Sequence, residues 1–90
     1  MAENKAEEVR RQMAYKRFGT GEYTKTEKVL NYMYRHSEGI TNAEAFTFYN
    51  VTRLGSIIYE LRHHYGLPIV THRETYKGQT YARYTLEEVE

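Results

Sequence analysis

The sequence has no cysteine and no aspartate among its 90 residues, and only one proline. The missing cysteines exclude a disulfide scaffold, a cysteine-ligated zinc site and a thiol nucleophile, while they leave the redox compartment open. With no Asp and only two Ser, the chain offers no set of nucleophile, base and orienting group for catalysis. We therefore expect a protein that is not an enzyme and uses no cofactor.

Long apolar runs are also missing. No stretch approaches the roughly 20 apolar residues that a membrane-spanning helix needs. The first eight residues contain four charged side chains and no apolar core of the kind that a signal peptide requires. These absences predict a soluble, cytoplasmic protein with no membrane partner.

Strong aliphatic residues are scarce, because Ile, Leu, Val and Phe together make up only 17 of the 90 residues. Such a low share is typical of disorder when the net charge is high. Here the net charge is only +1, and ten Tyr and three Met can add to a core. We therefore predict one small, tyrosine-rich folded domain.

The charges divide the chain into three predicted segments. Residues 1–22 read as a polar helical arm that ends in a glycine-containing hinge at 19–21. Residues 23–86 carry eight Lys and Arg against five Glu and are predicted to form the domain. Residues 87–90 form an acidic tail, which conceals the mildly basic character of the domain in the total charge.

Three helices are predicted within the domain. Residues 24–27 match a capping box, in which a Thr and a Glu three residues later close a helix N-terminus, so the first helix should cover about 25–36. A second capping box precedes the next helix at 42–49, and a third helix is predicted over 53–65. Thr52 is the candidate cap of that third helix. Asn50 suits the tight turn between the last two helices, and Gly66 and Pro68 end the third.

Spacings of three and four residues define the apolar face of each helix. The arm has a thin apolar stripe, and Tyr32 points away from the apolar face of the first domain helix. The predicted inward residues are Ala2, Ala6, Val9 and Met13 of the arm; Val29, Leu30, Met33 and Tyr34; Ala45, Phe46 and Tyr49; and Leu54, Ile58 and Leu61.

The segment after Pro68 is predicted to form a β-hairpin. Residues 69–76 and 80–86 are rich in β-branched and aromatic side chains, and a short glycine-containing loop at 77–79 separates them. Three helices followed by a two-stranded hairpin is the order of a winged helix-turn-helix. We therefore predict an α+β winged helix-turn-helix with an extra N-terminal helical arm.

The short turn before the third helix predicts a steep crossing that leaves its outer face free to enter the major groove of DNA. Arg53 could read guanine with two hydrogen bonds, and short hydroxyl side chains could contact bases or phosphates. The wing would contact phosphates or the minor groove. The candidate DNA-binding residues are Thr52, Arg53, Ser56, Tyr59, Glu60 and His63 on the helix and Arg73, Tyr76, Lys77 and Gln79 on the wing.

Residues 24–86 resemble a small winged helix-turn-helix family found in phage and prophage proteins. The resemblance rests mainly on 41–46, 51–54, 58–62, 66–69 and 82–86. It implies a transcription regulator that binds double-stranded DNA, and Arg53 matches a position where the family pattern commonly has a basic residue. The arm lies outside the resemblance, and Phe48 is an unexpected aromatic late in the second helix.

Other interpretations remain open. Tyr15, Phe18, Tyr32 and Phe48 fit the core least well and predict a protein interface, either in a homodimer or with a host or phage protein. The same scaffold could also serve an excisionase-like factor that bends DNA. Glu60 and His63 lie one helical turn apart, but the further ligands of a carboxylate-bridged metal site are missing, so no metal is predicted.

Overall fold

A computed structural model describes residues 5–16 and 22–87 of the chain. It shows an α+β fold in which three helices precede a β-hairpin, with one additional helix at the N-terminus. The elements are α1 (Lys5–Lys16), α2 (Lys25–Arg35), β1 (Ile40–Thr41), α3 (Asn42–Tyr49), α4 (Leu54–Tyr59), β2 (Ile69–Tyr76) and β3 (Gln79–Leu86). No helix in these two ranges is long and apolar enough to cross a membrane.

Local capping interactions start two of the helices where the sequence predicts. At α2, the Glu27 N–H donates to Thr24 Oγ1 at 3.1 Å, and the Thr24 N–H donates to Glu27 Oε1 at 3.1 Å. The same reciprocal pair starts α3, between Thr41 and Glu44. Because each pair satisfies N–H groups that the helix leaves unpaired, both N-termini are fixed by four-residue stretches of sequence.

The predicted third helix differs from the observed one at its start and in its second half. The N-cap residue of α4 is Arg53, and no side chain caps it, so the predicted capping role of Thr52 is wrong. After Tyr59 the helix continues as a π-helical segment over Glu60–His64, where the Tyr65 N–H reaches back to the Glu60 carbonyl. Such wider turns are frequent at functional sites.

The sheet has three strands in the order β1, β3, β2, so the predicted two-stranded hairpin was incomplete. Lys77 and Gly78 both have positive φ, at 51° and 79°, which makes a two-residue turn of the kind that suits the twist of a hairpin. The added strand β1 pairs with β3, with Ile40 opposite Tyr84. A strand of two residues is too short to show alternating apolar and polar side chains in the sequence. It forms only because Ile40 pairs with Tyr84, 44 residues later.

The core joins the N-terminal helix to the domain. Ala6, Val9 and Met13 of α1 are buried together with Val29, Leu30 and Met33 of α2 and the predicted inward residues of α4, whereas Tyr34 is only half-buried and Ala2 lies outside the described residues. Tyr32 also packs partly against the core, so the prediction that it points away from the apolar face is wrong. The boundary at residue 22 stays a prediction, but α1 is packed against α2 over its apolar stripe. In the hairpin, Ile69 is buried, and Tyr84 and Leu86 pack partly against the core.

Phe46 contradicts the inward face predicted for α3. Ala45 is fully buried, whereas the Phe46 side chain is 55% exposed. In an eight-residue helix that contacts the core along a narrow line, a residue 100° away from the buried position turns to solvent. Tyr49, closer to that line, packs partly against the core as predicted.

Candidate nucleic-acid interface

The predicted DNA-facing residues of the third helix lie together on an exposed surface. Leu54, Ile58 and Leu61 are buried and fix the rotation of the helix about its axis. All six predicted helix residues are exposed: Thr52, Arg53, Ser56, Tyr59, Glu60 and His63. The surface that they form is called the outer face of α4, and it includes the start of the π-helical segment.

Two contacts organise the C-terminal half of this outer face. The rings of Tyr59 and His63 lie against each other, with centroids 4.4 Å apart, although Tyr59 remains 65% exposed. Thr26 Oγ1 donates a hydrogen bond to Glu60 Oε1 at 3.4 Å, which ties the start of α2 to the helix. Glu60 thus has a structural partner, while the aromatic pair faces outward.

Arg62 links the helix to the wing. Its Nη2 donates to the carbonyl oxygen of Ile69 at 2.9 Å and to Thr71 Oγ1 at 3.0 Å. Because β2 starts at Ile69, this guanidinium holds the base of the wing against the end of the helix. The two surfaces that the prediction assigns to DNA are therefore fixed relative to each other by a half-buried side chain.

The predicted wing residues divide between the two faces of the hairpin. Side chains alternate along a strand, so Arg73 lies on the same face of the hairpin as Thr71, whose hydroxyl accepts a hydrogen bond from Arg62. Tyr76 and Gln79 are cross-strand partners on the opposite face, and Lys77 is at the tip with its Nζ 5.4 Å from the Tyr76 ring centre. Tyr76 lines a groove of about 260 Å³ against the start of α3.

Arg83 lies on the same face of the hairpin as Tyr76, where the carboxylates of Glu74 and Glu44 bind its guanidinium. Arg83 Nε donates to both carboxylate oxygens of Glu74 at 3.0 Å, and its Nη1 lies 3.4 Å from Glu44 Oε1. The hydrogen bond from Arg83, with another from the Tyr81 hydroxyl, lowers the pKa of Glu74 below its usual 4.5. Arg83 therefore connects the wing to α3.

The lowered pKa makes this contact dependent on pH. Because the folded-state value lies below the unfolded one, the contact stabilises the wing above pH 4.5 and loses its effect as the pH falls through the folded-state pKa. We expect Arg83→Met to move the Glu74 carboxyl titration up towards 4.5, as followed by carboxyl carbon NMR. Arg73→Met, on the other face, is the control, and equal Glu74 midpoints in both variants would contradict the assignment.

Lys25 is a cation near the interface that the sequence alone did not single out. Its Nζ donates to the carbonyl oxygen of Asn50 at 3.0 Å, in the turn that leads into α4. The side chain stays exposed beside the start of the outer face. In the sequence Lys25 is only the first residue of a helix, and the contact with a residue 25 positions away gives no local signal.

The residues predicted for a protein interface have different outcomes. Phe18 lies outside the described residues, and so does the side chain of Tyr15. Tyr32 and Phe48 meet, with ring centroids 5.5 Å apart, and Tyr49 and His36 complete a cluster that we call the aromatic surface. Burial, with Glu44 nearby, raises the pKa of the Tyr32 hydroxyl, while Phe48 is 52% exposed.

The arrangement defines a class of protein. Helices α3 and α4 are joined by residues 50–53, where Asn50 adopts the left-handed conformation with φ 57°, and a hairpin follows them. This is a winged helix-turn-helix, a class that indicates DNA binding and is typically not enzymatic. Within 5–16 and 22–87, no group of three or more His and Glu side chains is placed to hold a metal ion.

Comparison with known families agrees with the geometry. Residues 24–89 match the family described as the winged helix-turn-helix domain, and the chain belongs to that family. No curated protein and no solved structure matches the chain significantly. The family match begins at the capping residue of α2, so α1 lies outside it.

Proposed function

We propose that this protein is a sequence-specific regulator of transcription of phage or prophage type that binds double-stranded DNA. One observation supports the proposal most directly: a winged helix-turn-helix presents Arg53, Ser56 and Tyr59 on one exposed side of the helix whose other side is buried. Arginine can bind guanine bidentately, and small hydroxyl side chains can contact bases or phosphates.

In this mechanism the outer face of α4 enters the major groove and the wing lies on the adjacent backbone. Arg73 and Lys77 supply cations from the wing, and Lys25 supplies one beside the turn before α4. The net charge of the predicted domain is small, so few phosphates are neutralised and affinity should fall only moderately with salt. Two copies on a palindromic site would compensate for the weak electrostatic attraction.

The direct test is selection of duplexes from a random pool, followed by affinity measurements at several salt concentrations. We expect an enriched sequence that binds at least about 1,000-fold more tightly than random DNA, as specific sites do. Binding no tighter than roughly 10⁻⁴ to 10⁻⁶ M to every duplex would contradict sequence-specific regulation. Circularly permuted probes distinguish the excisionase-like alternative, which requires the DNA in the complex to be bent.

A second candidate function is protein interaction through the aromatic surface, in a homodimer or with a host or phage protein. The supporting observation is that Phe48, although stacked on Tyr32, leaves half of its side chain in solvent. Aromatic side chains are enriched at the centres of protein interfaces. We assign a second copy of this chain as the partner that covers the aromatic surface, because a dimer would also place two copies on a palindromic DNA site.

We expect Phe48→Ser to convert a dimer into a monomer in light scattering, because the change removes the exposed ring from the aromatic surface. Phe46→Ser is a matched control, since Phe46 is 55% exposed on the same helix but 200° away from Phe48 around the axis. Equal masses for the wild type and both variants would refute the homodimer. Deleting residues 1–22 is a poorer test, because it also removes three core side chains of α1.

A further inference from the structure

Gly55 lies in the first turn of α4, where a glycine has no conformational purpose. Its backbone is helical, and the positive-φ glycines of the described chain are Gly39, Gly66 and Gly78. A glycine inside a helix destabilises it relative to alanine, because the unfolded chain gains more freedom. The conformation at position 55 would thus suit alanine better.

Packing inside the protein does not require this glycine either. Apart from its chain neighbours and the backbone of its own helix, a β-carbon built at Gly55 meets no described atom within 4 Å, and the residue is exposed. Gly39 shows the opposite situation, since a β-carbon there would overlap the carbonyl oxygen of Tyr84. The space beside Gly55 is therefore open in the free protein, and no contact within the described fold accounts for its lack of a side chain.

The exposed side chains near Gly55 indicate that the open space beside it faces the proposed DNA-binding surface. Thr52 and Ser56 are exposed on the outer face, and their hydroxyls extend only one bond beyond the β-carbon. Side chains this short reach the edges of bases only when the helix backbone itself lies deep in the groove. Glycine is the residue that permits such a close approach of a backbone to its ligand.

We propose that the backbone of α4 at Gly55 lies in van der Waals contact with the bound DNA, so that the complex has no room for a β-carbon at this position. The inference rests on the proposed DNA-binding function and assigns Gly55 as a positioning residue of that site. A methyl group at position 55 holds the helix away from the groove, so the short side chains lose their contacts.

The proposal predicts effects of opposite sign on stability and on binding. We expect Gly55→Ala to raise the unfolding temperature by about 2 to 6 °C, as better helix propensity does in a domain of this size. Its affinity for the duplex selected with the wild type should fall about tenfold or more, because overfilling a tight contact is unfavourable. Gly55→Leu should lose more affinity, while the salt dependence stays unchanged because no charge is altered.

The measurements are thermal unfolding by circular dichroism and fluorescence anisotropy with the selected duplex. Gln12→Ala, an exposed helix position on α1, is the control and should bind as the wild type does. Wild-type affinity in Gly55→Ala overturns the inference and leaves DNA binding intact. A lower unfolding temperature also overturns it, because glycine then has a role in the fold. If the wild type selects no duplex, the proposed function fails and the inference fails with it.

Discussion

Arg53→Ala is expected to weaken binding to the selected duplex by about 5- to 150-fold, which corresponds to about 1 to 3 kcal/mol. Arg53 is exposed at the N-cap position of α4 and makes no capping hydrogen bond with its side chain. Its guanidinium is therefore available for a base edge, which the N-terminal residues of a recognition helix contact. Discrimination against other sequences should decrease at one base position, because the two hydrogen bonds to guanine are lost.

The control separates base recognition from simple loss of charge. Arg35→Ala removes the same charge from the exposed end of α2, outside the predicted interface. We expect it to change affinity for all duplexes equally and by less than Arg53→Ala. Anisotropy titrations with the selected and the scrambled duplex at several salt concentrations measure both effects, and equal losses in the two variants would show that Arg53 reads no base.

Gly39→Ala is expected to destabilise the protein by about 3 kcal/mol or more, a large part of the stability of a domain this small. Gly39 has φ 85°, which a side chain disfavours, and a β-carbon would overlap the carbonyl oxygen of Tyr84 in β3. The residue precedes β1, so the close approach positions the third strand and the capping residue of α3. Urea unfolding followed by circular dichroism measures the loss.

Gly78→Ala separates the two causes of the destabilisation expected for Gly39→Ala, which are backbone strain at positive φ and the overlap with Tyr84. Gly78 has a similar φ of 79°, but a β-carbon there meets nothing within 4 Å. Only the backbone strain remains, so we expect a destabilisation of about 1 kcal/mol. If both variants lose the same stability, the contact with Tyr84 has no energetic weight and the role assigned to Gly39 is wrong.

Features that depend on neighbouring residues could be predicted. The capping boxes at 24–27 and 41–44 and the left-handed Asn50 act within one helical turn, so the bounds of α3 were predicted to the residue and α2 ended one residue earlier than predicted. The buried face of α4 followed from its spacing, and its exposed outer face was confirmed with it. The roles of the outer residues in DNA binding stay predictions.

Features that depend on distant partners could not be predicted. Phe46 and Tyr49 have similar sequence signals, but only the position of the core shows that one is exposed and the other half-buried. Lys25 meets Asn50 across 25 residues, and Thr26 meets Glu60 across 34. The π-helical segment likewise has no local signal, because its hydrogen bonds differ from those of an α-helix by a single residue.

The sequence by itself determined a small, tyrosine-rich α+β domain of three helices and a hairpin, because capping, turn geometry and apolar spacing act over a few neighbouring residues. The tertiary structure alone decided that α1 shares the core, that a third strand joins the sheet, and that Arg62 and Arg83 fix the wing against the helices. These contacts join residues from 7 to 44 positions apart, and their energies exist only once the chain has folded around them.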